Sequence, residues 1–265
     1  MCNNITGEDI INFLIGLTDK SIQRDIILNG NPKKIVKKVA SVFLLTIDVI
    51  NKCIEENVDM IIVHEGAFYH EPKYIDLLQD EIALRKNDLL KKSDILIYRF
   101  HDVAHYVFPD IILKGFLNEV ELGFNADDCY MLSFGSKGIM LKDSLSIKYI
   151  ISEIKQKLKL EKVRFFGDIN NKVRCIHFGL GQCLTDYNSL SKTECELYIC
   201  GEVYDLPSGS YCADAKALGL NKNIIALGHY SSEFLGMKYF AEFLANKFNN
   251  LQVDYVDCGE FFEFI

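Results

Sequence analysis

Short runs of apolar, often β-branched residues recur along the chain, and the stretches between them carry apolar residues at helical spacing. "MIIV" (60–63), "ILIYRF" (95–100), "VRCIHFGL" (173–180), "CELYIC" (195–200), "NIIAL" (223–227) and "VDYV" (253–256) read as strands, as does "VASVFLLTID" (39–48). "VINKCIEENV" (49–58), "IDLLQDEIALRKNDLLKKSD" (75–94), "SIKYIISEIKQKLKL" (146–160) and "GMKYFAEFLANKF" (236–248) read as helices. In the third of these, Ile147, Ile150, Ile151, Ile154 and Leu158 share one face. Parallel neighbours can be joined only by a crossover, so this alternation predicts an α/β fold with mainly parallel sheets covered by helices.

The alternation pauses in the middle of the chain, where Pro109, Gly115 and Gly123 punctuate loop and short helix. Two α/β halves are therefore expected. Residues 1–107, together with the C-terminal part of the chain, form one lobe; 108–145 connect; and 146–265 form the second.

Charge and cysteine content exclude several classes. The 265 residues carry a net charge of −8, which disfavours a phosphate backbone as main partner, and no nucleic acid is expected. The densest basic stretch, "PKKIVKK" (32–38), reads as the solvated start of an element. The N-terminal "MCNNITGEDIINFLIGL" lacks the pattern of a signal peptide, and the apolar runs fall short of the roughly 20 residues that span a bilayer. A soluble, cytoplasmic protein with no membrane partner is the expectation. Nine cysteines include no Cys-x-x-Cys pair, so reduced, mostly buried thiols are expected.

The six histidines are placed unevenly. His64 follows "MIIV", His101 follows "ILIYRF" with His105 four residues on, and His229 follows "IIAL" and a glycine. In open parallel sheets, ligands collect outside the carboxyl ends of the strands, so these positions can share a cleft. Each cluster has chemistry of its own. Glu65 stands beside His64; Asp102 stands beside His101 and can orient its ring; His229 and Glu233 share a helical face. Gly228 permits a tight turn before that helix, which Ser231 or Ser232 can cap. Glu202, in "YICGEV", sits at another strand end, either lining the same cleft or serving as a structural cap. His177 reads as a core residue and His70 as a loop residue.

Any one of these clusters alone is an ordinary hydrogen-bonding loop. Three of them at strand ends suggest a shared metal site of imidazoles and carboxylates, a donor set that suits Zn, Mn, Fe, Ni or Co. Such a set is large enough for two ions. Two divalent ions can activate a bridging hydroxide and stabilise charge on an attacked carbon or phosphorus.

These segments resemble the NIF-three-like family, dinuclear-metal-centre hexameric proteins often labelled GTP cyclohydrolase type-two-like. The most specific stretch is "CELYICGEVYDLPSGSYCADAKALGLNKNIIALGHYSSEFLGMKYFAEFLANKF", with "VDMIIVHEGAFYH" carrying the family's paired-histidine strand end. The likeness runs from "VKKVASVFLLTIDVI" to the C-terminus. It implies His64, His229 and Glu233 as metal ligands. The chain departs from the family at two positions, with Glu65 in place of a second histidine and His105 in place of an aspartate. The exchange keeps the balance of imidazole and carboxylate, so the expected metal set is His64, Glu65, His101, His105, His229 and Glu233. The resemblance further implies two similar lobes, a dinuclear site in the cleft between them, and a toroidal homohexamer.

Two functions are expected. One is a metal-dependent hydrolase of a nucleotide-like or pterin-like small molecule, with Glu65 or Glu202 shuttling a proton. The alternative is a non-catalytic metal-handling or interaction scaffold.

Overall fold

The computed structural model describes residues 4–69, 80–133, 135–181, 190–263 and 265. The chain divides into two compact units, one of Met1–Val107 with Met237–Ile265 and one of Phe108–Gly236.

The first unit is built on a five-stranded sheet in the order β1-β4-β3-β2-β11: Ile27–Asn29, Leu96–Arg99, Met60–Val63, Lys38–Val42 and Gln252–Tyr255. β11, β2, β3 and β4 pair in parallel, and β1 closes the edge antiparallel. The pairings Val42↔Val63 and Val63↔Arg99 end the central strands level with one another. The residues just past these strands, Phe43, His64 and Phe100, therefore emerge at one edge. β3 and β4 are buried along their whole length, as strands covered on both faces must be.

Helices pack around this sheet. α1 (Gly7–Ile15) starts from a reciprocal Thr6–Asp9 capping box. α2 (Ile47–Glu55) starts from Thr46, whose hydroxyl accepts the Val49 N–H. The strand expected over 39–48 therefore stops at Val42, because that cap turns the chain into a helix. α3 (Glu81–Lys92) is capped by Asp80; residues 75–79 of the helix expected there lie outside the described residues. α4 (Asp102–Tyr106) is a short helix after β4. The later part of the helix His229–Lys247 (α8) also belongs here. Phe240 stacks on Phe100 at 4.5 Å, Phe243 and Phe248 pack on Phe13, and the Ser41 hydroxyl donates to the Met237 carbonyl at 2.7 Å.

The second unit carries a six-stranded sheet in the order β5-β6-β8-β9-β10-β7: Tyr130–Ser133, Ser136–Ser146, Lys172–Gly179, Leu197–Cys200, Asn223–Ala226 and Arg164–Phe166. Only β8, β9 and β10 run parallel; β5, β6 and β7 are antiparallel to their neighbours. This sheet is therefore more mixed than the alternation alone implies. β5 ends at Ser133 and β6 begins at Ser136, too short a connection for a crossover. Residues 108–145, read from sequence as a connection, contain α5 (Ile111–Val120), β5 and most of β6, and fall within this unit. α6 (Ile147–Leu158) and α7 (Asp205–Ala217) complete it, and α6 buries Ile147, Ile150, Ile154 and Leu158.

Two polar contacts anchor α5. Asp110 accepts the Leu113 N–H at 2.9 Å and pairs with Lys137 at 2.8 Å, both side chains being buried. Close backbone contact does the rest. A Cβ on Gly115 would lie 2.3 Å from the Leu235 carbonyl oxygen, and one on Gly236 would lie 2.5 Å from the Ile112 Cα. α5 thus lies directly against the first turns of α8, which carry His229 and Glu233.

Among the described residues no helix is long and apolar enough to cross a membrane. Cys53, Cys129, Cys175, Cys195, Cys200 and Cys212 are buried free thiols.

The packing yields two predictions. Lys86 occupies the buried stripe of α3 with Ala83 and Leu90; it donates to the Leu45 carbonyl and lies 5.6 and 5.5 Å from the Phe68 and Tyr69 rings. Burial pushes its ammonium down to about 8. The charged form is therefore penalised in the fold below pH 8, and the penalty fades as pH rises from 8 towards the unfolded value of 10.5. Lys86→Met should stabilise the protein at pH 7 by about 1–2 kcal/mol, after offsetting the lost hydrogen bond. Denaturant titrations at successive pH values should show that gain shrinking through the alkaline range. Gly115→Ala should cost on the order of 2 kcal/mol or more, read as a lowered denaturant midpoint, because backbone atoms rather than side chains would have to yield.

Candidate metal centre

Three imidazoles gather at the carboxyl edge of the first sheet. His64 follows β3, His101 stands at the N-terminal cap of α4, and His105 lies in the last turn of α4. Their ring centroids are 4.6 Å (His64–His101), 5.2 Å (His64–His105) and 5.1 Å (His101–His105) apart, and all three rings are buried. One ring nitrogen from each lies within 4.8 Å of the others.

The orientation of two rings is fixed from behind. His64 Nδ1 is 3.0 Å from the Phe100 carbonyl oxygen. A carbonyl can only accept, so Nδ1 carries the proton and Nε2 keeps the lone pair a metal needs. His101 Nδ1 is 3.2 Å from Asp102 Oδ1, which likewise leaves Nε2 as the donor. Burial drives the His101 pKa down to about 3, further than the Asp102 contact raises it, so the ring stays neutral. Burial also works to raise Asp102. The His101 contact, the Gln23 and Arg24 backbone N–H groups and the Arg24 guanidinium outweigh it and hold this carboxyl well below the usual range.

Asp25 secures the start of α4. Its carboxylate accepts the backbone N–H groups of His101, Asp102 and Val103 at 2.8, 2.5 and 3.0 Å. Burial raises its pKa despite these three donors. Glu65 lies at the margin of the group: Oε2 is 3.2 Å from an Arg99 guanidinium nitrogen, and Oε1 is 3.8 Å from His101 Nε2.

A second group forms in the other unit. His229 Nε2 is 3.2 Å from Glu233 Oε2, and His229 Nδ1 is 3.0 Å from Glu202 Oε1. Two ligand atoms bound to one ion are typically about 3 Å apart, so the first contact has the spacing of a metal-binding pair. The second is the carboxylate–histidine arrangement that fixes a tautomer. Glycines let the backbone close around this pair. A Cβ on Gly181, whose φ is +76°, would lie 2.2 Å from Glu233 Oε1, and one on Gly201 would lie 2.6 Å from Ser232 Oγ. Gly228, with φ +98°, turns the chain from β10 into α8. The helix begins at His229, so Ser231 and Ser232 lie within its first turn and do not cap it. Ser232 instead accepts the Gly181 N–H at 2.9 Å and donates to the His229 carbonyl at 2.8 Å.

The structure thus assembles His64, Glu65, His101 and His105 with Asp102 in one unit, and Glu202, His229 and Glu233 in the other. His177 is a buried strand residue whose Nε2 is 3.6 Å from Cys175 Sγ, and burial lowers its pKa. His70 lies outside the described residues. Sequence reasoning missed Asp25 and Arg99, and it read Ser232 as a candidate helix cap rather than as the bridge to Gly181. An arginine inside the apolar run "ILIYRF" was a visible signal, whereas nothing local marks Asp25, which acts on residues about 75 positions away.

The donor set fits divalent metal. Buried imidazoles, two of them with acceptors fixing their tautomers, are the environment that nitrogen-preferring ions take.

Comparison with known proteins agrees with this architecture. The family described as Duf34/NIF3 (NGG1p interacting factor 3) matches residues 5–258, so the likeness begins well before the segment in which the sequence made it visible. A Clostridium perfringens protein named GTP cyclohydrolase 1 type 2 homolog is 27% identical over 239 residues, covering 85% of this chain and 86% of its own. A Pyrococcus abyssi protein of the same name is 28% identical over 256 residues, covering 91% and 94%. Among solved structures, hypothetical protein SA1388 of Staphylococcus aureus superposes with a TM-score of 0.78 at 16% identity over 99% of this chain and 100% of that one. TTHA1606 of Thermus thermophilus gives 0.71 at 20% identity over 97% and 100%. The similar structures establish the shared fold, and the match over nearly the whole sequence establishes that the chain belongs to the Duf34/NIF3 family.

Proposed function

We propose that the chain binds two divalent metal ions through His64, Glu65, His101, His105, His229 and Glu233, and uses them to hydrolyse a nucleotide-like or pterin-like small molecule. The observation that carries the reading is the buried trio of imidazoles, two of them held from behind so that Nε2 is the donor. The names of the curated relatives supply the substrate class.

Bound divalent ions would lower the pKa of water and polarise the group under attack. The residues divide the remaining work. Asp102 and the Phe100 carbonyl keep two rings aimed. Glu202 holds the His229 Nδ1 proton, and its half-exposed side chain can also pass a proton between substrate and solvent. Glu65, tied to Arg99, is better placed as a ligand than as a mobile base. The family resemblance also supports a homohexamer, which a solution mass measurement tests directly.

Protein purified without chelator should carry about two divalent ions per chain by elemental analysis. His64→Ala and His229→Ala should each lower that content, and the loaded protein should turn over at least one compound in a panel of nucleotides and pterins. Metal retained with no turnover on the panel would replace the hydrolase with a metal-handling protein. Metal absent from carefully purified wild type would overturn both readings.

A further inference from the structure

Arg99 ends β4, a strand whose every residue is buried, and its side chain is only 3% exposed. A guanidinium in such a place is costly unless its charge and donors are met. Two successive residues at the end of the neighbouring strand are among its partners. Nε lies 3.3 Å from the His64 carbonyl oxygen, and one terminal nitrogen lies 3.2 Å from Glu65 Oε2. The planar fork thus reaches from β4 to the end of β3, touching the backbone of one candidate ligand and the carboxylate of the next.

With Oε2 engaged by the guanidinium, Oε1 is the oxygen turned towards the imidazoles, 3.8 Å from His101 Nε2. That distance is too long for a hydrogen bond. It is compatible with two donors that close slightly around one ion. The Glu65 side chain is 20% exposed, so without a tether it could swing to solvent. The guanidinium also sets a positive charge beside that carboxylate, on the oxygen turned away from the rings.

We propose that Arg99 is a positioning residue that holds Glu65 as a one-oxygen metal ligand and offsets its charge. The proposal rests on the metal-binding reading above and adds to it which oxygen of Glu65 binds and what fixes it.

The test is calorimetric titration of Zn2+ into metal-stripped protein, comparing wild type with Arg99→Met, Arg99→Lys, Glu65→Gln and the Arg99→Met/Glu65→Gln double variant, each checked for folding by circular dichroism. Arg99→Met should weaken the Glu65-dependent binding step by about 10- to 100-fold, as loss of an orienting partner does. Arg99→Lys keeps the charge but not the fork, and should lie between Arg99→Met and wild type. The double variant should bind no more weakly than Glu65→Gln alone, because the role proposed for Arg99 in binding runs through that carboxylate. That non-additivity is what a purely structural arginine would not produce. If Arg99→Met fails to fold, Arg99→Lys carries the test, and wild-type affinity in that variant would overturn the proposal. Full additivity in the double variant would also overturn it, as would wild-type affinity in folded Arg99→Met. Wild-type protein that takes up no Zn2+ removes the metal reading and this proposal together; wild type that binds Zn2+ while Glu65→Gln and Arg99→Met bind it equally well removes only this proposal.

Discussion

Three imidazoles packed within about 5 Å of one another in a buried edge can share an ion only if their rings are held in place, and much of the first unit's polar architecture serves that condition. At His101 burial outweighs a neighbouring carboxylate, so the ring is neutral. A neutral imidazole is still free to choose a tautomer. The Phe100 carbonyl and Asp102 remove the choice for His64 and His101. Asp102 is in turn held by Arg24 and two backbone N–H groups, so a chain of contacts runs from solvent to the ring nitrogen. Asp25 acts on the backbone instead, fixing the turn that carries His101 into α4.

The second unit solves a related problem with backbone rather than charge. His229 sits between two carboxylates, and Glu233 is buried against a glycine whose missing side chain makes the space. Ser232 then bridges the Gly181 loop to the first turn of α8, so the helix start and the loop must move as one. The close crossing of Gly115 and Gly236 seats that helix against α5. A buried carboxylate is tolerable only where donors or cations are held close to it, and this packing limits how far the residues around Glu233 can shift.

Much of this was legible in the sequence because it derives from periodicity. Apolar runs of four to eight residues gave the central strands of both sheets, and the first one or two positions after those runs gave His64, His101 and His229. The features that escaped were long-range or antiparallel. Asp25 and Arg24 act on residues far along the chain, and no local pattern announces such contacts. The β5–β6 pairing interrupts the alternation with a hairpin, which made 108–145 look like connection. The start of α8 was also displaced, because the apolar spacing of "GMKYFAEFLANKF" describes the later half of a helix that begins seven residues earlier at His229.

Glu65 and Arg99 show how a local anomaly acquires meaning only in three dimensions. Along the chain, a glutamate after a histidine and an arginine inside an apolar strand are separate irregularities. Parallel register places Arg99 opposite Val63, one residue before His64, so the two irregularities become a single contact. Each supplies the other with a counter-ion at an edge where the Arg99 side chain is almost wholly buried. The acid therefore brings negative charge to the imidazole cluster while the base cancels it at the sheet. One carboxylate oxygen meets the guanidinium, and the other remains directed at the rings.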